Sequence, residues 1–271
     1  MKVFEFVPEG IQDCRVTAWL HGNEEFLEMS AYTYQRPAMI VCPGGGYGMV
    51  SQREAEPVAK HYFAAGYNTF ILWYSVGEMA KDFLPLRQLA STIAHVRNHA
   101  EEWYTIKDKI AVSGFSAGGH LACSLGTLFN EERFLKAFGR DDDIRPNAMV
   151  LSYPVITADE FAHQGSIRNV SGSEVGTEDY KWFGLNEHVD AQTPPTFLWH
   201  TAEDTCVPVE NSLKMATALS AAKVPFEMHI LPDGYHGISV CNKEVNSPFS
   251  YNSRWVELSI KWLNKVFEFE V

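Results

Sequence analysis

Short apolar runs alternate along this chain with longer amphipathic stretches, and that alternation predicts an order of strands and helices. Residues 2–7 switch between apolar and polar positions as a half-buried strand does. Residues 15–20 and 26–34 are further candidates, and together the three predict an antiparallel start to a sheet. Residues 38–42 are an unbroken apolar run that ends in Pro43-Gly-Gly-Gly-Tyr-Gly48. A helix is predicted over 57–65, stopped by Gly66, followed by a strand over 68–74 and a long amphipathic helix over 84–103. Ile110 to Val112 reads as a buried strand, and Leu121, Leu125 and Leu128 carry a helical period after it. A polar connector spans 139–146, and another apolar strand covers 148–153.

From about Thr157 to Thr193 the rhythm breaks into polar, glycine-bearing sequence punctuated by Phe161, Tyr180, Trp182 and Phe183. Segments this long without regular pattern in a compact domain are usually functional lids or disordered. Regularity returns with a strand over 196–200, a helix over 209–222, a strand over 226–231 and a closing amphipathic helix over 254–266. Strands alternating with helices imply an α/β protein with a mostly parallel sheet covered on both faces. No internal repeat or linker interrupts the pattern, so residues 1–271 are expected to form one domain with a small cap inserted at about 157–193.

Composition narrows the partners. At 271 residues, with 46% hydrophobic and 21% charged positions, the chain suits a globular α/β domain with a substantial core. A formal charge of −12 opposes binding to nucleic acid, anionic membranes or acidic polysaccharide, so a small neutral substrate fits better. No apolar run approaches a membrane span, and residues 1–5 lack the regions of a signal peptide. Five cysteines scattered singly, without a C-x-x-C pair, argue against a disulfide framework. The expected setting is cytoplasmic, and the oligomeric state is left open.

Candidate chemistry centres on Gly114-Phe-Ser-Ala-Gly118, placed between the strand at 110–112 and the helix after it. That strand–turn–helix order is the context a G-x-S-x-G serine needs to be a nucleophile. The turn strains the serine backbone, so the residues two positions either side must be nearly free of side chain, as Gly114 and Gly118 are. Taken alone, the pentapeptide is equally a glycine-rich turn with a capping serine. Other loops leaving predicted strand ends add what such a serine requires. Gly44, Gly45 and Gly46 can offer bare backbone N–H groups to an oxyanion, joined by the N–H of Ala117. A phosphate loop is the rival reading, but no Gly-Lys-Ser/Thr follows, and Met49 breaks a G-x-G-x-x-G pattern. Asp204, with Glu203 as rival, follows the strand over 196–200, and His236 follows the strand over 226–231. Serine, acid, histidine in that chain order is the order the α/β-hydrolase fold imposes.

Taken together, Pro43-Gly-Gly-Gly-Tyr47, Gly114-Phe-Ser-Ala-Gly-Gly-His120, Pro194 to Asp204 with Val207-Pro208, and Gly234-Tyr-His-Gly237 resemble the α/β-hydrolase esterases, in particular the acetyl xylan esterase-like group of sugar-ester hydrolases. Pro43 stands where hormone-sensitive-lipase relatives begin the glycine motif with histidine, which sets this chain apart from that branch. The resemblance implies a catalytic triad of Ser116, Asp204 and His236, an oxyanion hole from Gly45, Gly46 and Ala117, and hydrolysis of short acyl esters on carbohydrate. Imported acetylated oligosaccharides suit the expected cytoplasmic setting better than intact xylan. Neither metal nor cofactor is implied. Tyr47, Tyr180 and Trp182 are candidate substrate contacts, although aromatics more commonly serve packing. A serine peptidase of the same fold and a non-catalytic binder on a hydrolase scaffold are the competing functions.

Weaker signals remain. His95 and His99 share a helix face, but Val96 replaces the glutamate of H-E-x-x-H, so a solvated face is expected rather than zinc. Asp141 to Asp143 lack the glycine and distal glutamate of a calcium loop. Trp73, Tyr74 and Trp199 are expected in the core.

Overall fold

A computed structural model describes residues 1–22, 34–140 and 143–271. The strands are β1 (Lys2–Phe6), β2 (Arg15–Leu20), β3 (Arg36–Cys42), β4 (Asn68–Trp73), β5 (Thr105–Phe115), β6 (Ala148–Ser152), β7 (Thr196–Thr201) and β8 (Phe226–Leu231). The helices are α1 (Glu56–Ala64), α2 (Leu84–Asn98), α3 (Ala117–Leu128), α4 (Glu132–Phe138), α5 (Gln164–Ser171), α6 (Glu178–Lys181), α7 (Glu210–Ala221) and α8 (Arg254–Phe267). All eight strands join one sheet in the order β1-β2-β4-β3-β5-β6-β7-β8. β2 is antiparallel to both β1 and β4, and each neighbouring pair from β4 to β8 is parallel. The chain adopts the α/β-hydrolase fold.

Why the parallel strands read as continuous apolar runs is visible in their side chains. Successive residues of a strand face opposite sides of the sheet, and here both sides are covered. In β3, Ala38, Ile40 and Cys42 enter one core while Met39 and Val41 enter the other. β6 divides in the same way, with Met149 and Leu151 on the first face and Ala148 and Val150 on the second. Helices α2, α3 and α7 cover the first face through Leu89, Ile93, Leu121, Leu125, Met215 and Leu219. α1 and α8 cover the second with Val58, Tyr62, Trp255, Trp262 and Leu263. Each such fully buried side chain contributes about 1.5–3 kcal/mol by its removal from water.

Strand order decides where a site can form. From β3 the chain first goes outward to β4 through α1, then returns to the other side of β3 as β5. The loops leaving β3 and β5 therefore part to opposite faces, and the crevice between them is the place where open parallel sheets bind ligands. Those two loops hold Gly44–Gly46 and Ser116.

Several expected boundaries move. Helix α2 ends at Asn98, because residues 99–104 turn and bring Trp103 against Phe4, Phe6 and Phe70. β5 starts at Thr105, well before the expected apolar run. α4 was not expected, since its buried side is only Phe134 and Phe138. The segment 157–193 is also more regular than its composition suggests. α5 is started by the His163 side chain accepting the Ser166 N–H and stopped by Gly172 at φ 66°, with too few buried residues to show a period. The expected strand over 26–34 lies almost wholly outside the described residues, as do Asp141 and Asp142; Asp143 pairs with Arg97 at 3.1 Å. All five cysteines are free. Tyr74 and Trp199 are buried as expected, while Trp73 is half-buried with its Nε1–H donating to Thr17 Oγ1 at 3.0 Å.

At the junction of β5 and α3, packing leaves no room for side chains. A methyl group on Gly118 would lie 2.1 Å from the carbonyl oxygen of Cys42 and 2.3 Å from that of Pro43. On Gly114 it would meet the Gly118 carbonyl oxygen at 2.2 Å. These neighbours are backbone atoms and cannot rotate away. Gly118→Ala is thus expected to lower stability by about 3 kcal/mol or more, read by urea denaturation; a loss under about 1 kcal/mol would mean that the junction yields.

Candidate active site

Ser116 stands at the turn between β5 and α3 with φ 54° and ψ −119°, a left-handed setting that serine adopts only under constraint. Its carbonyl oxygen accepts the N–H groups of His120 and Val155, and its own N–H donates to Ser152 O, so the backbone is pinned on three sides. Oγ is thereby turned toward His236, whose Nε2 accepts the hydroxyl proton across 2.8 Å. On the other edge of the imidazole, Nδ1–H donates to Asp204 Oδ2 at 2.6 Å. The sequence-predicted serine, acid and histidine meet in one hydrogen-bonded chain although they lie far apart in the polypeptide. Glu203, the rival acid, is exposed and Asp204 is buried, which separates the two.

Asp204 is held by a complete set of donors. Oδ1 accepts the N–H groups of Cys206 and Val207, both at 2.9 Å. His200 Nε2–H donates to Val207 O at 2.9 Å and also approaches Asp204 Oδ2 at 3.4 Å, while His200 Nδ1 pairs with Ser212 Oγ. Burial alone would raise the carboxyl pKa. The hydrogen bonds from His200 and His236, helped by the charge of His236 and the Val207 N–H, outweigh burial and hold Asp204 well below the usual carboxylate range. Ionised Asp204 fixes the tautomer of His236, leaving Nε2 free to accept the serine proton.

The glycine loop packs directly against the serine. A methyl group on Gly44 would fall 3.0 Å from Ser116 Cβ and 2.7 Å from Phe115 O. Gly45 and Gly46 adopt φ of 128° and 65°, and a methyl on Gly45 would collide with Met49 O at 2.2 Å, so glycine is required there. Gly44 N–H is already used, donating to Glu54 Oε2 at 2.8 Å. Among the described residues, the N–H groups of Gly45, Gly46 and Ala117 have no intramolecular acceptor. Ala117 is also the first residue of α3, where the helix dipole favours negative charge. A hydroxyl paired with an imidazole, beside unclaimed amides, can attack an acyl carbon and receive the resulting oxyanion.

The three candidate substrate contacts are not where they were expected. Tyr47 is fully buried with its hydroxyl on His120 Nδ1 at 2.9 Å, so its side chain braces the core under the glycine loop and offers nothing to a ligand. Burial holds that histidine down at about 4, and its Nε2–H donates to Phe183 O. Tyr180 is buried in the same core, and Trp182 lies against Phe83, Phe183 and His188 beneath the Arg133 guanidinium. These rings dock the segment 157–193 onto the body. His95 and His99 are not a solvated face either. Their half-buried rings stack 4.1 Å apart in a column between Phe6 and Trp103, with the Glu9 carboxylate close by.

Four side chains near the site were given no functional role by the sequence reading. Glu54 and His200 are described above. His163, at the start of α5, has Nδ1 engaged by Ser166, and its Cε1 would lie 4.0 Å from a methyl on Gly46. Burial first, then the nearby His236, pushes its pKa down, partly offset by Asp204. Asn169 Nδ2 donates to Gly46 O at 2.8 Å, so α5 is fastened to the glycine loop.

The BD-FAE family profile matches residues 26–219. The chain belongs to the BD-FAE family. Among curated relatives of this family member, endo-1,4-beta-xylanase B of Butyrivibrio fibrisolvens is 36% identical over 236 residues, covering 86% of this chain and 36% of that protein. An acetylxylan esterase of Xylanibacter ruminicola is 28% identical over 236 residues, covering 84% of this chain and 45% of that one. The chain thus spans less than half the length of these relatives. Of solved structures, an acetyl ester-xyloside bifunctional hydrolase from Caldicellulosiruptor lactoaceticus superposes with a TM-score of 0.81 at 35% identity, covering 95% of this chain and 89% of that one.

A carboxylate whose pKa is depressed by folding stabilises the protein fully above its unfolded pKa, and that contribution is lost as pH falls through the folded value. Asp204→Asn is therefore expected to be less stable than wild type near neutral pH, with the gap narrowing below about pH 4. Melting temperatures across a pH series test this; a gap that widens on acidification would contradict the electrostatic account of Asp204.

Proposed function

We propose that this BD-FAE member is a serine carboxylesterase that removes short acyl groups, acetyl foremost, from carbohydrate esters. One observation carries the reading: Ser116 Oγ lies 2.8 Å from His236 Nε2, and His236 Nδ1 lies 2.6 Å from buried Asp204. In the first half of the reaction, Ser116 attacks the ester carbonyl while His236 takes its proton, and Asp204 steadies the imidazolium without itself becoming protonated. The amides of Gly45 or Gly46 and of Ala117 receive the oxyanion. Each such donor is worth about 3 kcal/mol in the transition state. His236 next protonates the departing alcohol, and water then enters by the same route to release the acid and regenerate Ser116.

The choice of ester rests on relatives and on charge. An acetylxylan esterase and an acetyl ester-xyloside hydrolase are among the proteins this chain is similar to. A protein of net charge −12 favours a neutral acylated sugar over an acidic one. Asn169 fastens α5 to the Gly46 carbonyl oxygen, and His163 lies beside the same glycine.

Ser116→Ala and His236→Ala are expected to lower hydrolysis of p-nitrophenyl acetate by about 10⁴-fold or more while far-UV dichroism stays native. Wild-type turnover should fall as the acyl chain lengthens, and the matching acetanilide should be cleaved negligibly. Undiminished turnover in Ser116→Ala would overturn the proposal, and preferential amide cleavage would favour a peptidase.

A further inference from the structure

Glu54 is a carboxylate with 3% of its surface exposed, placed in the short turn Gln52–Glu54 that follows the glycine loop. Burying a carboxylate is costly unless both oxygens are satisfied, and here each oxygen accepts one neutral donor. Gly44 N–H donates to Oε2 at 2.8 Å, and the Tyr153 hydroxyl donates to Oε1 at 2.7 Å. Tyr153 in turn accepts the N–H of Ser239 at 3.0 Å, three residues beyond His236. Ser239 Oγ closes the circuit by donating to the carbonyl oxygen of Arg53 at 2.6 Å, one residue before Glu54. The circuit runs unbroken from the loop that carries the amides to the loop that carries the imidazole.

Two further features mark this as more than satisfied burial. Tyr153 leaves β6 at φ 36°, a setting a bulky residue occupies only when its surroundings impose it. Its ring also meets that of His236 edge-on, with centroids 5.1 Å apart and planes at 70°. The donors point one way, from Ser239 through Tyr153 to Glu54, so each bond polarises the next. At the far end, Gly44 sits against Ser116 Cβ, and its N–H is tied to Glu54.

We infer that Glu54 and Tyr153 are positioning residues, which hold the amides of the glycine loop and the ring of His236 at a fixed separation across Ser116. The inference rests on the esterase reading above. Neither residue touches substrate in this account. What they control is the geometry of the tetrahedral intermediate, and a misplacement near 1 Å in such a site costs about 100-fold in rate. Glutamine at 54 can accept from only one of the two donors, and phenylalanine at 153 keeps the ring against His236 while deleting the hydroxyl that joins the loops.

The test compares Glu54→Gln, Tyr153→Phe and the double variant, as the full chain, with wild type and Ser116→Ala. Readouts are kcat and KM for p-nitrophenyl acetate, inhibition by a trifluoromethyl ketone that forms a tetrahedral adduct, and melting temperature. Each single variant is expected to lose about 10- to 100-fold in kcat with KM within about twofold. Ketone affinity should fall by the same factor as kcat/KM, and the double variant should be little worse than the poorer single one, because the two act as a unit. Should Glu54→Gln fail to fold, Tyr153→Phe decides alone. Folded variants that keep wild-type kcat, or lose only melting temperature or only KM, overturn the brace while leaving the esterase reading intact, provided Ser116→Ala is inactive. An active Ser116→Ala would instead remove the esterase reading itself.

Discussion

Everything at this site depends on how closely the start of α3 rests on the end of β3. Gly118 lies so near the carbonyl oxygens of Cys42 and Pro43 that no side chain fits, and Gly114 is pressed in the same way against Gly118. This contact forces Ser116 into its left-handed backbone, at a cost of about 1–3 kcal/mol, and brings the glycine loop within reach of its side chain. The strain is absorbed by the two-sided core, whose helices bury large apolar side chains against both faces of β3 and β5. Loosen that junction and the hydroxyl, the amides and the imidazole no longer share one space.

Electrostatics follow from that placement. Asp204 is buried yet stays ionised, because four donors surround it and two of them are histidines. The carboxylate makes His236 a proton acceptor with only one nitrogen to spare. Anionic character is concentrated there, while unclaimed backbone N–H groups stand at the start of α3 and in the glycine loop packed against Ser116. In enzymes generally, opposed charge fixed before substrate arrives is usually the largest single term in rate acceleration.

The sequence was legible where a pattern had length or a motif had context. Apolar runs such as 38–42 and most of 148–153 revealed the parallel strands, because burial on both faces leaves few polar positions to blur them. The serine motif declared itself through the strand before it and the helix after it. Short elements were hidden: α5 buries Ser166, Ile167 and Val170, and α4 two phenylalanines, too little for a period to emerge. Glu54 was invisible because a glutamate among Gln52, Arg53 and Glu56 reads as solvated turn, and only the fold reveals that Gly44 and Tyr153 close on it. Tyr47 misled for the converse reason. Its neighbours belong to the site, but a backbone φ of 57° turns its ring into the core, onto His120.

The central claim is that the Ser116 hydroxyl is activated by His236 and attacks acyl carbon beside the free amides. Peptide mapping by mass spectrometry after treatment with a fluorophosphonate ester reads this most directly, since such a reagent is captured by an activated serine. The account predicts one phosphonyl group per chain, on the peptide containing Ser116, and its absence when His236 is replaced by alanine. An unmodified Ser116, or a phosphonyl group on another serine, would contradict it.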